Sequence, residues 1–566
     1  MSFQELPPEI ISLVIRFLTD NHSLSVFRLL RVDKRCFALA LPIAKSLVFH
    51  TVRLDLCVNR RVGRQVARLC AQFQKANAFT CVRRLIIEGH FSFGRGSRDS
   101  YEWSPPSVSH FSSFSRDPQD SDESEEQNLV RKGWNQLHLQ SFELRSIYAP
   151  TTDEHEYRLV TSPSLNTISP YYETNTPEGI RQKQAFLRIL SLAPNLKAIY
   201  LNVKQNTSDV PAAGTYSRWS KFTQEQGEGP FHLAAIECLR VRHAYDPMPA
   251  ATLEELAAYI DFSVLQTLDL TSPIQGEALE AWADHLHFLA LQTLRLLLGT
   301  QMGRTGQAPD FYLKATRFLQ SLPALSDVYL DEWHSQLPIG TLTQSHGPRL
   351  RKLSVAGLPW QCFTENDILQ LGRHCPLLEK MSIPIRRTQG DAREVALYKA
   401  LGTVRNLKFL DLVLDVSDPT LDQEHASIDP DWDDFDNQPA NVNLGGINPS
   451  RNGHIRRLLI NTLIDKQLAC SILEVISAAK PQDAPLLERL SLSIQGQTRP
   501  AYFARCEFSH LVRLLSTEWT IERDIRHEHR NKVDARITMI PISRSFKMEN
   551  QVKLGIVTFG EVFLWL

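Results

Sequence analysis

Apolar residues recur along most of this chain as one short word, apolar-x-x-apolar-x-apolar, set between polar turns and stretches with helical spacing. The word reads Leu265-Leu268-Leu270, Leu291-Leu294-Leu296, Leu325-Val328-Leu330, Leu350-Leu353-Val355, Leu378-Met381-Ile383 and Leu407-Leu410-Leu412. Ile455-Leu458-Ile460 and Leu487-Leu490-Leu492 follow, and Val82-Leu85-Ile87, Leu139-Phe142-Leu144, Leu196-Ile199-Leu201 and Ile236-Leu239-Val241 precede. Consecutive starts from Ile236 to Leu407 lie 29, 26, 34, 25, 28 and 29 residues apart. A near-constant period of about 20–30 residues marks a chain built by stacking one supersecondary unit. Five words carry a proline two positions before the first anchor: Pro194, Pro323, Pro348, Pro376 and Pro485. Helical segments are expected at 186–193, 318–322, 368–375 and 473–479. Proline ends a helix and biases its predecessor toward extended backbone, so a strand can begin immediately.

Side chains alternate faces along a strand, so the fourth and sixth positions of each word point inward and stack on those of neighbouring turns. Each buried Leu or Ile contributes about 1.5–3 kcal/mol before ordering entropy is subtracted. The third, fifth and seventh positions line the open face. The expected fold class is α/β, a parallel strand ladder with helices stacked as an irregular solenoid. Several ordinary α/β domains with amphipathic strands are the alternative. No asparagine ladder marks the turns.

Composition narrows the functional classes. The 566 residues hold 62 Lys plus Arg and 63 Asp plus Glu, a formal net charge of -1, so no bulk basic surface awaits nucleic acid or anionic lipid. A hydrophobic content of 43% suffices for a core. No apolar run reaches the ~18–20 residues a membrane span needs, and the N-terminus lacks the basic and apolar regions of a secretory signal. Nine cysteines without C-x-x-C spacing point to a reducing compartment, cytoplasmic or nuclear, with thiols acting as small hydrophobes.

Two stretches interrupt the word. Near 91–130, Ser fills 11 of the 33 positions from Ser92 to Ser124, ahead of an acidic run ending at Glu126; this composition predicts a disordered insertion. A second disordered insertion is expected near 415–453. Its acidic run superficially follows a calcium loop starting at Asp429, but Asp434 stands where the glycine belongs and Ala440 where the bidentate glutamate belongs, so an exposed acidic loop is expected. Residues 519–566 fit the word poorly and form a C-terminal segment that could cap the last turn.

Residues 1–50 differ from the rest. Leu6-Pro7-Pro8-Glu9-Ile10 opens a helical run with Val14, Phe17 and Leu18; after a polar turn at 19–23, Val26, Phe27, Leu29, Leu30 and Val32 form a second, closed by Lys34-Arg35. Two short helices cannot bury so much apolar surface against each other. A cap on the first solenoid turn would cover it, and so would a partner. Leu6-Pro7-Pro8-Glu9-Ile10, the middle Val14 to Leu18 and the closing Val32-Asp33-Lys34-Arg35 resemble the F-box, and the following array, over roughly 80–515, resembles the irregular leucine-rich repeats of F-box proteins. Cys36 replaces the usual aromatic, and the 19–23 turn is longer than is typical. The resemblance implies three segments: an F-box-like helical module at 1–50, a leucine-rich-repeat-like solenoid at 51–518, and the tail at 519–566. It further implies a non-catalytic substrate-recognition subunit of a cullin-type ubiquitin ligase. Leu6, Pro7, Glu9, Ile10, Val14, Leu18, Leu30 and Val32 would form the surface for the Skp adaptor and, through it, the cullin scaffold, while the repeats bind a protein substrate. A repeat scaffold acting outside a ligase is the other reading.

No catalytic constellation emerges. His527-Glu528-His529 lacks the spacing of a zinc helix, and no phosphate-binding or nucleophile-elbow motif occurs. Neither an enzyme nor a bound metal or other cofactor is expected, nor a nucleic-acid or membrane partner. The open face is the candidate surface. Tyr and Arg predominate among interface anchors, so Tyr200, Arg240, Arg242, Arg295 and Tyr329, with Asp331, are the candidate substrate-binding residues.

Overall fold

The computed structural model describes residues 51–55, 71–75, 84–88, 141–145, 161–204, 233–299, 309–357, 361–417, 432–440, 451–495, 515–523 and 533–538, except 175 and 245, plus three isolated positions. The 1–50 module apart from positions 38 and 41, the 91–130 insertion, His527 to His529 and the end of the tail lie outside these residues. The chain divides into two compact units at Asp331/Glu332, inside the stretch 51–518.

In the first unit the strands are β1 (Thr51–Asp55), β2 (Arg84–Glu88), β3 (Ser141–Arg145), β4 (Leu165–Ser169), β5 (Tyr171–Glu173), β6 (Ala198–Lys204), β7 (Cys238–Ala244), β8 (Thr267–Leu270), β9 (Thr293–Leu297) and the first five residues of β10 (Asp327–Trp333). Each pairs in parallel with its neighbour in sequence order, β4 and β5 both pairing β6. Parallel neighbours need crossovers, and among the described residues helices α1 (Pro177–Leu192), α2 (Ala251–Ala257), α3 (Gly276–His285) and α4 (Pro309–Ser321) supply them. In the second unit α5 (Ile339–Ser345) precedes β11 (Lys352–Gly357), followed by α6 (Glu365–His374), β12 (Lys380–Arg386), α7 (Ala392–Gly402) and β13 (Phe409–Asp415). Helices α8 (Asn452–Thr462) and α9 (Lys466–Ala478) then lead to β14 (Arg489–Gln495). The β11–β14 run is parallel, whereas β15 (Glu518–Arg523) and β16 (Val533–Thr538) add on antiparallel. The fold is α/β with a mostly parallel sheet and helices.

The repeated word sets the register. Leu239, Leu268, Leu294 and Val328, all fourth positions, stand opposite one another across β7–β10 and are completely buried. Leu353, Met381, Leu410 and Leu490 do the same across β11–β14. Helices end ahead of the flagging prolines: α1 stops at Leu192 before Pro194, α4 at Ser321 before Pro323, and α6 at His374 before Pro376. Main-chain carbonyls make the turns without an asparagine ladder. The carbonyl of Lys197 accepts from the N–H of Glu237 and Cys238, that of Glu237 from Gln266 and Thr267, and that of Gln266 from Gln292 and Thr293. Arg351, Glu379 and Lys408 repeat the device in the second unit.

Three differences from the sequence reading have physical reasons. Ile455 to Ile460 is not a strand but part of α8, whose buried His454, Leu458, Asn461 and Thr462 follow helical spacing and whose His454 ring accepts from Arg451 N–H (3.0 Å). Strands β4 and β5 escaped the word because Pro170 occupies the sixth position after Leu165 and Ile168; without an N–H it breaks the strand, while its carbonyl accepts from Asn202 N–H. Within 415–453, residues 432–440 are an ordered turn packed on α8; Asp433 and Asp434 are exposed, as the acidic composition implied, but Asp436 is not. Asp436 is only 2% exposed and takes Arg456 Nη1 at 2.9 Å, and Trp432 meets His454 edge-on at 4.6 Å. Gly453 is needed there, because a Cβ would fall 2.5 Å from the Trp432 ring.

Lys480 ties the end of α9 to the turn after α7. Its buried ammonium donates to the carbonyls of Val404 (3.2 Å), Arg405 (3.0 Å) and Leu407 (3.0 Å). Burial pushes its pKa down to about 8, so the acceptors offset the cost of removing the charge from water. Lys480→Met takes this donor from the Arg405 and Leu407 carbonyls, while that of Val404 keeps the Leu407 N–H, and is expected to destabilise the second unit by about 2–3 kcal/mol. The urea midpoint measures this; an unchanged midpoint would mean the carbonyls find other donors.

Candidate interaction face

With the fourth and sixth positions filling the core, the residues between them stand on the opposite face of the sheet. In the first unit the fifth positions form one cross-strand row, Tyr200–Arg240–Asp269–Arg295–Tyr329, each residue directly opposite the next. The row alternates ring, cation, anion, cation, ring. Arg240 Nε donates to Asp269 Oδ2 at 2.6 Å and its guanidinium lies over the Tyr200 ring at 5.3 Å. Arg295 lies over the Tyr329 ring at 5.9 Å, with its Nε 3.5 Å from Asp331 Oδ2. Paired cross-strand side chains contribute about 0.2–1 kcal/mol each, so the row also supports the sheet.

The structure therefore places five of the six candidate residues in two side-chain clusters, Tyr200–Arg240–Asp269 and Arg295–Tyr329–Asp331, whose members Asp269 and Arg295 are cross-strand neighbours. Arg242, two positions along β7 from Arg240, is exposed and makes no ion pair among the described residues. Asp269, which was not among the candidate binding residues, anchors Arg240. Its side chain is only 7% exposed against 40% for Arg240, so the acid lies beneath the cation. Aligning fifth positions by repeat would have shown the alternation of charge. The adaptor-surface residues Leu6, Pro7, Glu9, Ile10, Val14, Leu18, Leu30 and Val32 lie outside the described residues.

Flanking titratable groups are muted. Burial holds His243 below the usual histidine range, so its ring, 3.1 Å from the Asp246 carbonyl, is neutral at pH 7. Burial likewise raises the Cys238 thiol, with Arg240 opposing it. At the other edge of β6, the Lys204 hydrogen bond at 2.7 Å holds Glu173 below the usual carboxylate range.

The second unit presents two rows. Lys352–Lys380–Phe409–Arg489–Glu522 is one, with Arg489 over the Phe409 ring at 5.5 Å; Ser354–Ser382–Asp411–Ser491–Thr520 is the other. Arg457, expected on a ladder strand, sits instead on α8 over Trp432. Cys362 lies beside Asp415, 3.4 Å from Oδ2, with Arg386 3.5 Å from the same oxygen. Burial pushes this thiol far above its ordinary range, and Cys375 up to about 12, the opposite of what a thiolate nucleophile needs. Among the described residues no group of three His, Cys, Asp or Glu side chains is placed to hold a metal, and no helix is long and apolar enough to cross a membrane. No protein-family model matches the chain, and comparison with curated proteins finds no significant match.

Proposed function

We propose that this chain is a non-catalytic substrate-recognition subunit of a cullin-type ubiquitin ligase: an F-box module docks on a Skp adaptor, and a leucine-rich-repeat-like solenoid presents a protein substrate. The single observation that carries the recognition role is the Tyr200–Arg240–Asp269–Arg295–Tyr329 row on the open sheet face. Large, oriented Tyr and Arg side chains are the usual anchors of protein interfaces. The regular strand–helix alternation and the stacked Leu positions support the repeat reading, and the Leu6-Pro7-Pro8-Glu9-Ile10 opening and Val32-Asp33-Lys34-Arg35 closure support the F-box reading. In such an assembly the transfer chemistry belongs to other subunits, and this chain supplies proximity, raising the effective concentration of a substrate lysine near the charged conjugating enzyme.

The test is a binding assay with purified Skp adaptor. Wild-type chain is expected to form a stable complex on gel filtration. Pro7→Ala combined with Ile10→Asp should abolish it without changing the circular dichroism of the repeats. Wild-type chain that never binds the adaptor would defeat the ligase reading.

A further inference from the structure

Arg240 and Arg295 share an arrangement that a merely structural ion pair does not need. Each has a carboxylate at Nε and a tyrosine ring against its guanidinium: Arg240 lies between Asp269 on β8 and Tyr200 on β6, whereas Arg295 takes both Asp331 and Tyr329 from β10. Neither terminal Nη pair has a partner among the described residues, and the side chains remain 40% and 45% exposed. The acids lie lower, at 7% and 34%, so the outer layer of the row is guanidinium although the formal charges beneath it balance. Exposed Arg242 adds a further cation on the same face. Guanidiniums fixed in place lose little freedom on meeting an oxyanion, and their planar ends match carboxylates.

Spacing selects the ligand further. Arg240 on β7 and Arg295 on β9 are separated by one strand, which places their backbones about 9.5 Å apart. A polyproline-II segment advances about 3.1 Å per residue with three residues per turn, so side chains at i and i+3 share one side about 9.3 Å apart. A regular strand would put i and i+3 on opposite sides. Tyr200 and Tyr329 close the row at both ends, offering rings to the apolar parts of such a segment.

We propose that this row binds an extended acidic peptide segment of a protein partner, crossing the strands in polyproline-II conformation with carboxylates at i and i+3 on Arg240 and Arg295. The assignment rests on the recognition role proposed above and names the chemistry of the substrate segment.

The experiment is fluorescence anisotropy of the full chain with labelled proline-rich peptides carrying Glu at i and i+3, Glu at i and i+2, or Gln at both positions. The i,i+3 peptide should bind at least fivefold more tightly than the others and weaken as salt rises from about 50 to 300 mM. Arg295→Gln should weaken it about tenfold. Arg240→Lys keeps a cation over Asp269 and so protects the fold, yet removes the planar fork; it should also weaken binding severalfold. Lys399→Gln, exposed on α7 and in none of the sheet-face rows, should leave binding unchanged. Equal affinity for all three peptides, or affinity unmoved by both arginine variants with circular dichroism intact, overturns the proposal. Adaptor binding measured on the same preparations separates the two claims. Peptide selectivity lost with adaptor binding kept defeats only the acidic-segment assignment, and the reverse defeats only the ligase reading.

Discussion

Glu394→Gln is expected to cost the second unit about 3–5 kcal/mol, the range found when one partner of a buried ion pair is removed. Arg387 and Glu394 have side-chain exposures of 4% and 0%. Both carboxylate oxygens take Arg387 Nη1, at 2.6 and 2.7 Å; Tyr398 Oη donates to Oε1 at 2.6 Å, and the N–H groups of Thr388 and Gly390 donate to Oε2 at 2.7 and 2.9 Å. The loop between β12 and α7 is wound around this carboxylate, with Gln389 and Gly390 both at positive φ (62° and 77°). A neutral amide leaves the Arg387 charge buried and turns an N–H donor toward groups that themselves donate. Hydrogen exchange at Thr388 and Gly390 should accelerate together with the loss of stability. Arg387→Met with Glu394→Met should cost less than Glu394→Met alone, because the buried Arg387 charge is removed along with its partner. Wild-type exchange and stability in Glu394→Gln would show that the box carries no such energy.

Leu268→Asp should be at least as damaging to the first unit. Leu268 is completely buried on β8 between Leu239 and Leu294 in a row of fourth positions. A carboxylate there has apolar neighbours on both strands, so the change loses a leucine's burial, about 1.5–3 kcal/mol, and adds the larger cost of an unpaired buried charge. Burial raises the pKa of the introduced carboxylate above its unfolded value. The charge penalty is therefore absent below about pH 4 and grows as pH rises toward the raised value. Thermal unfolding at pH 7 should show the first-unit transition lost or shifted strongly downward. A wild-type transition would contradict the inward assignment of the fourth position.

What was legible in the sequence is what depends on short-range periodicity. Leu268 and Leu270, or Leu410 and Leu412, announce a strand because two inward positions separated by one residue, preceded by an anchor, fit little else once the spacing repeats. The same word misled at Ile455 because Leu458 and Ile460 also fit a helical stretch; His454 capping and the docked Trp432 decide for the helix. The candidate face was half legible. Tyr200, Arg240, Arg295 and Tyr329 could be named as open-face residues, but their mutual pairing depends on strand register, and the role of Asp269 beneath Arg240 depends on burial. The box around Glu394 was invisible, since Arg387, Tyr398 and two positive-φ residues meet only once the loop is folded.

The proposed function is tested most directly by quantitative affinity purification with mass spectrometry from cells expressing wild-type chain, Pro7→Ala with Ile10→Asp, or Arg295→Gln. The N-terminal double variant is expected to lose the Skp adaptor and cullin but keep the substrate, whereas Arg295→Gln should keep adaptor and cullin and lose the substrate. Adaptor and cullin absent from the wild-type sample, or both classes of partner lost together in both variants, would contradict the division of labour between the 1–50 module and the sheet face.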